Sequence, residues 1–394
     1  MNRQALKLCN FSAKIGITAP IVVGLMFSTL LPGLVQAADI FDTKDPAYTA
    51  RMNASLAKGN ISKLCLPSSA KAPADIYKTK SIPTDELVAA ANKEGQFVIN
   101  SGISDENSIS AYKAAFEGRF PGIKLSAVSG ASATLEERFL ADHAAGNQKV
   151  DAEISTKFAW IEKALKEKAI EPIDQINPDI LKTWPTGSWR WETQSGTVAV
   201  VFNRALGIAY NTDLVKGSLV PKQYADLANP AFKDQLLGMD PEASITFTRV
   251  WKQIMDSVDE KTMRAIGNNM IKKPLYSDIQ VAAQVLGAGG AMVIMQMGGN
   301  VANTMQESGA PVKMAMPDAA TGTQYAFAVA AKAPHPNAAR LFAYWLYSAE
   351  GQWVMSCAAD GGSVAYPENG AKTFVPIESV SKADIAKIKQ LLGI

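Results

Sequence analysis

The chain has 394 residues, 47% of them hydrophobic, which is ample material for packed cores and not a disordered composition. It carries 39 Lys and Arg against 37 Asp and Glu, and three of the cations, Arg3, Lys7 and Lys14, fall in the first 37 residues, so that 39 less 3 leaves 36 basic against 37 acidic side chains. That balance, without any basic block, excludes the electrostatic footprint of a protein that binds nucleic acid or an anionic membrane surface.

Residues 1–37 read as a Sec signal peptide: the three cations precede an apolar run over 15–31, and Val35-Gln36-Ala37 supplies the small residues for cleavage after Ala37. The competing reading, a membrane anchor, suffers from Pro20, Ser28 and Thr29, which interrupt a run shorter than the roughly 20 residues of a spanning helix. The expected location is the periplasm. Residues 38–83, with Pro46, Pro67, Pro73 and Pro83 among small and polar residues, show no sustained period and read as an irregular N-terminal extension. Cys9 lies in the signal peptide, which leaves Cys65 and Cys357. In an oxidising compartment these are expected to pair across a very long loop, two unpaired buried thiols being the alternative.

From Thr84 the pattern becomes one of short strands alternating with amphipathic helices, the signature of a parallel sheet in an α/β protein. A strand is expected at 96–100, followed by a helix with Ile109, Tyr112, Phe116 and Phe120 on one face, a strand at 124–128, and a helix over 135–145 opened by Thr134 and Glu137 at capping-box spacing. A strand at 152–155 and a helix through Trp160 and Leu165 complete three units. Strands at 198–202 and 207–210 lead to a second set: a helix at 221–227, a strand at 236–239, a helix at 245–258, a capping box of Ser277 and Gln280 before 281–286, and a buried strand at 291–295. A strand at 326–330 and a helix at 336–347 return to the first pattern. The expected organisation is therefore 84–207 for a first lobe, 208–316 for a second, and 317–394 for a return to the first with C-terminal helices.

Nucleophile and metal signatures are absent. There is no Gly-x-Ser-x-Gly elbow, His143 and His335 read as surface residues, and no ligand-type spacing of Cys, His or carboxylates occurs, so neither an enzyme nor a cofactor is expected. The glycines of 287–290 read as a helix terminator and not as a phosphate loop. What recurs is Ser, Thr and Gly at strand-to-helix turns: Ser101, Ser129 and Ser132, Ser155-Thr156, Ser244 and Thr246, and Ser277. Open α/β sheets bind ligands at such turns, where helix N-termini offer N–H groups and partial positive charge to an anionic or oxygen-rich ligand. Helix capping competes with that reading at every one of these residues. Arg204, between two apolar strand segments, is either a clamp for a carboxylate or phosphate or one half of an ordinary ion pair. Trp184, Trp189 and Trp191 read as cover for a lobe edge.

The segments Gly207-Ile208-Ala209-Tyr210-Asn211-Thr212-Asp213-Leu214 and Leu227-Ala228-Asn229-Pro230-Ala231-Phe232-Lys233-Asp234 follow in an order that resembles one family, together with Asp240-Pro241 and Ser244, Ala333-Pro334-His335-Pro336-Asn337-Ala338-Ala339, and Ser348-Ala349-Glu350-Gly351-Gln352. That family is the family 1 extracellular solute-binding proteins of periplasmic ferric, polyamine and phosphonate-type importers, and the resemblance spans roughly 84–367. It implies a type II periplasmic-binding-protein fold, two α/β lobes joined by a hinge of two crossing segments (here 208–211 and 316–322), a ligand held between the lobes, and delivery to an ABC permease in the inner membrane by a monomer. Binding positions carried over by the resemblance are Ser101, Ser129, Ser132, Thr156, Ser244, Ser277 and Gln296. The segment Met295-Gln296-Met297-Gly298-Gly299-Asn300 lacks the adjacent tyrosines of ferric-binding members, so the favoured ligand is a small organic or oxyanionic anion held by Thr246, Arg204 and the turns. A ferric or ferric-chelate carrier, or a secreted sensor input, is the alternative.

Overall fold

The structure, a computed structural model, describes residues 45–103, 105–130, 132–272, 275–367, 370–377 and 379–394, without the side chains of Leu64 and Ser132. The expected signal peptide and its cleavage site lie outside the described residues. No described helix is long and apolar enough to cross a membrane.

The extension is not irregular throughout. Asp45 caps a helix, α1 (Pro46–Ala57), by accepting from the Ala47 N–H at 2.8 Å, and Pro46 occupies the first turn, where its missing N–H costs nothing. Only Tyr48 and Met52 are buried on this helix, a stripe one residue wide, which is why no period is visible in the sequence. The Tyr48 hydroxyl donates to Glu350 Oε1 at 2.8 Å, and the Arg119 guanidinium, itself 2.6 Å from Glu350 Oε2, lies over the Tyr48 ring. Cys65 is joined to Cys357, and the Trp353 indole donates to the Leu66 carbonyl at 3.1 Å. The extension is thus packed into the first core.

The alternating pattern that follows runs α2 (Asp85–Glu94), β1 (Gln96–Ser101), α3 (Glu106–Arg119), β2 (Lys124–Ser129), α4 (Ser132–Ala144), β3 (Ala152–Ser155), α5 (Phe158–Lys166), then β4 (Ile170–Glu171) and β5 (Arg190–Thr193). One long strand, β6 (Gly196–Asn211), replaces the two expected, because the polar pair Asn203-Arg204 interrupts the apolar run without ending the strand. Beyond it come β7 (Leu236–Leu237), α6 (Ile245–Ser257), α7 (Glu260–Asn269), α8 (Ile279–Gly287), β8 (Val293–Gly298), α9 (Gly299–Glu307) and β9 (Val312–Ala315). The chain ends with β10 (Ala319–Ala320), β11 (Gly322–Ala330), α10 (Pro336–Leu346), α11 (Ala349–Ala358), β12 (Gly362–Ser363), β13 (Thr373–Phe374) and α12 (Lys382–Leu392).

The main sheet has the order β2-β1-β3-β11-β6-β8-β7. β1 pairs in parallel with β2 and β3, β11 joins β3 and β6 antiparallel, and β7 pairs in parallel with β8. One apolar core lies under the first strands, with Phe97 stacked on Phe342 at 4.7 Å and Phe116 and Trp345 edge-on around them. A smaller core with Phe139, Trp160 and Trp191 covers the opposite face of that sheet, so Trp191 packs inward, as Trp184 does in the first core. A separate core gathers Ile208, Met239, Trp251, Ile266, Ile294 and Met295.

β6 runs through both bodies. It pairs with β11 up to Ala205 and with β8 from Leu206 onward, so the strand changes partners at 205–206 and the segment 208–211 already lies inside the second sheet. The last stretch does not stay with the first core: Ile388, Leu391 and Leu392 of α12 join the second core, and the Leu392 backbone sits where a side chain on Gly267 would be.

Candidate functional site

The elements meet where β6 changes partners. Arg204 stands opposite Thr323 of β11 in register, and Leu206 stands opposite Gly298, the last residue of β8. The Arg204 side chain is 12% exposed; its Nε–H donates to the Ala359 carbonyl at 2.7 Å and its Nη2–H to Asp105 Oδ2 at 3.0 Å. Asp105 follows the turn after β1 and caps α3 by accepting from the Ser108 N–H at 3.0 Å. Tyr325 lies beneath, its ring centroid 5.6 Å from the guanidinium carbon and stacked on Phe202 at 4.2 Å. Thr246, on the first turn of α6, places its hydroxyl 3.2 Å from that of Thr323, which joins the second body to the first.

Asp360 enters the same place from the end of α11 with a positive φ of 50°. Its Oδ1 accepts from Asn303 Nδ2 of α9 at 3.2 Å, and a Cβ built on Gly299, the first residue of α9, would lie 1.3 Å from its Oδ2. Burial pushes the Asp360 carboxyl up, against the pull of Arg204 and Asn303. For Arg204 burial works against the charge, yet Tyr325 and Asp105, with Asp360 beyond them, outweigh it and hold the guanidinium above its ordinary value. The junction therefore carries one cation between two carboxylates, with threonine hydroxyls and the start of a helix around them.

The residues expected from the sequence divide sharply. Arg204 and Thr246 are brought together through Thr323. Ser101 is fully buried at the end of β1, and its hydroxyl is taken up by Ile103, accepting from its N–H at 3.2 Å and donating to its carbonyl at 3.0 Å. Ser129 is exposed on the edge strand β2 and lines a surface hollow of about 600 Å³ with Arg51, Lys58 and Lys113, beside α1. Ser132 opens α4, and its side chain lies outside the described residues. Thr156 is half-buried in the turn after β3, where its neighbour Ser155 donates to Glu136 Oε1 at 2.8 Å. Ser244 is the cap of α6, accepting from the Phe247 N–H at 3.2 Å.

Ser277 is exposed and does not cap the helix as expected; Asp278 caps α8 instead, accepting from the Gln280 N–H at 2.7 Å. A carboxylate accepts more strongly than a hydroxyl, which decides between the two neighbours. Gln296 is fully buried in β8; its Oε1 accepts from the Met239 N–H at 2.8 Å, tying β8 to the end of β7, and its Nε2 finds no partner among the described residues. Asp105, Thr323, Tyr325 and Asp360 were not anticipated. The signals for them were slight: an Asp three residues before Ser108 after a strand, and Asp360-Gly361-Gly362 after a helix.

A buried acidic group lies in the first body. Glu153 is fully buried on β3 and accepts from Asn100 Nδ2 at 2.8 Å, while Glu136, also buried, pairs with Lys157 at 2.9 Å. Burial pushes Glu153 up to about 8, with Asn100 pulling down and Glu136 adding to the rise. Among the described residues no three His, Cys, Asp or Glu side chains are placed to hold a metal ion.

A family model described as bacterial extracellular solute-binding protein matches residues 101–353. Among solved structures, the Trichodesmium protein IdiA (FutA), in complex with iron and citrate, is 19% identical, with 76% of this chain and 99% of that chain covered at a TM-score of 0.57. Iron-bound HitA from Pseudomonas aeruginosa is 16% identical, covering 76% of this chain and 97% of that one at a TM-score of 0.53. The spermidine/putrescine binding protein PotD from Streptococcus pneumoniae, in complex with calcium and HEPES, is 14% identical, covering 75% and 97% at a TM-score of 0.52. At these identities the likeness is one of fold, the type II binding-protein architecture. No curated protein matches the chain.

Proposed function

Because the chain belongs to the bacterial extracellular solute-binding proteins, we propose that it captures a small, oxygen-rich solute, an anion in preference, at the junction floored by β6, and delivers it from the periplasm to the permease of an ABC importer. The observation that carries this reading is β6 itself: one strand belongs to both bodies and sets Arg204 at the point where it changes sheets. A guanidinium has five N–H donors, and the Arg204 contacts to Asp105 and Ala359 use two of them, so donors remain for a carboxylate or phosphate oxygen. The hydroxyls of Thr246 and Thr323 and the start of α9 supply further donors without fixed charge. In this reading the lobes run over 84–207 and 208–316, residues 317–394 return to the first lobe except for α12, closure turns on 205–206 and 316–322, a signal peptide is cleaved after Ala37, and the protein acts as a monomer.

A second reading is favoured by Asp105 and Asp360: the solute is a ferric chelate, itself an anion, whose metal sees a protein carboxylate while Arg204 meets the chelator. The fold neighbours solved with iron, one of them with citrate as well, support keeping it. Calorimetry of ligand-stripped protein against citrate, inorganic phosphate, ferric citrate and spermidine separates the readings. Binding of citrate or phosphate alone supports the first, binding of ferric citrate alone the second, and tight binding of spermidine alone opposes both.

A further inference from the structure

Asp360 is an odd residue to find at the end of α11. A non-glycine side chain at positive φ is strained, and glycine, which follows it twice in Gly361-Gly362, suits the position at no steric cost. Its carboxylate crosses from the first body to the second, where it meets Asn303 and rests against Gly299 so closely that no Cβ fits there. Gly299 does not have a positive φ, so glycine serves close approach and not backbone freedom. The carboxylate thus rests at the start of a nine-residue helix, within electrostatic reach of Arg204.

We propose that Asp360 is an internal stand-in for the solute: its carboxylate occupies the anion position, draws the two bodies together in the ligand-free protein, and must be displaced by the arriving solute. The anion position rests on the function proposed above, whereas the bridging of the bodies does not. Asp360 then sets affinity and selectivity: weakly binding anions fail to displace it, and only a solute with more acceptor oxygens than one carboxylate gains by doing so.

Two variants remove the contact from opposite sides. Asp360→Gly deletes the carboxylate and relieves the backbone; Gly299→Ala keeps the carboxylate but fills its place with a methyl group at a position where helical φ is undisturbed. Small-angle scattering of the ligand-free proteins, each first shown to melt cooperatively, is expected to give a larger radius of gyration for both variants than for the natural protein. Citrate is expected to bind Asp360→Gly about tenfold more tightly, the usual scale of coupling between competing occupants. If both variants stay as compact as the natural protein, the proposal is overturned whatever citrate does. If both expand and citrate binds none of the three, the bridging role stands and the proposed ligand class falls.

Discussion

Arg204 and Asp105 form an ion pair 3.0 Å long, with side chains only 12% and 25% exposed, at the point where β6 passes from one body to the other. A cation so placed serves the fold, and in the proposed function it serves the site as well. Arg204→Ala leaves Asp105 without its partner and the Ala359 carbonyl without its donor, so it is expected to cost about 2–3 kcal/mol of folding stability as well as solute affinity. Urea denaturation checks the first and calorimetry the second. Loss of affinity at unchanged stability would show that the pair is not structural.

The Cys65–Cys357 bridge spans 292 residues and holds the extension against α11. Constraining so long a loop in the unfolded chain is worth about 3–5 kcal/mol, so replacing both cysteines by alanine is expected to lower the melting temperature by about 4–7 degrees. Equal melting of the two proteins would mean that α1, through Tyr48 and Glu350, holds the extension unaided.

Glu153 gives a pH signature. Its carboxyl is raised in the folded protein from 4.5 to about 8, mainly by burial, so the folded state binds more protons than the unfolded one between those values. Stability contributed by the protonated group is complete below 4.5, falls as pH rises through the window, and is gone above 8. Glu153→Gln, which keeps an acceptor for Asn100 without a charge, should match the natural protein at pH 4.5 and exceed it by about 4–5 kcal/mol at pH 9. A constant difference across this range in chemical denaturation would contradict the assignment.

Gln296 separates structure from binding. Its Oε1 satisfies the Met239 N–H inside the second core, so Gln296→Met is expected to cost about 1–2 kcal/mol of stability and leave affinity unchanged, and Ser129→Ala and Ser277→Ala should alter neither. A tenfold loss of affinity in any of the three would restore the turn serines and Gln296 to the site.

Much of the fold is legible because burial imposes periods. The face of Ile109, Tyr112 and Phe116 and the short apolar strands at β1 and β3 are dictated by the core they enclose. The helix α1 is invisible because two side chains anchor it. The candidate site was legible at Arg204, where charge and strand order meet, and at Thr246, on the first turn of a helix. Serines at strand ends look alike whether they cap, close a turn or bind, and only tertiary contact tells them apart. Asp105 and Asp360 are 255 positions apart, and no local pattern joins either to Arg204.

The central claim, that the junction at Arg204 and Thr246 holds a small solute, is tested most directly by native mass spectrometry of the protein purified from its host, alongside a Thr246→Ala, Thr323→Ala double variant prepared in the same way. The account predicts a single adduct of a few hundred daltons or less on the natural protein, released on denaturation and absent or much reduced in the variant. An adduct carried equally by both proteins would place the solute elsewhere and contradict the account.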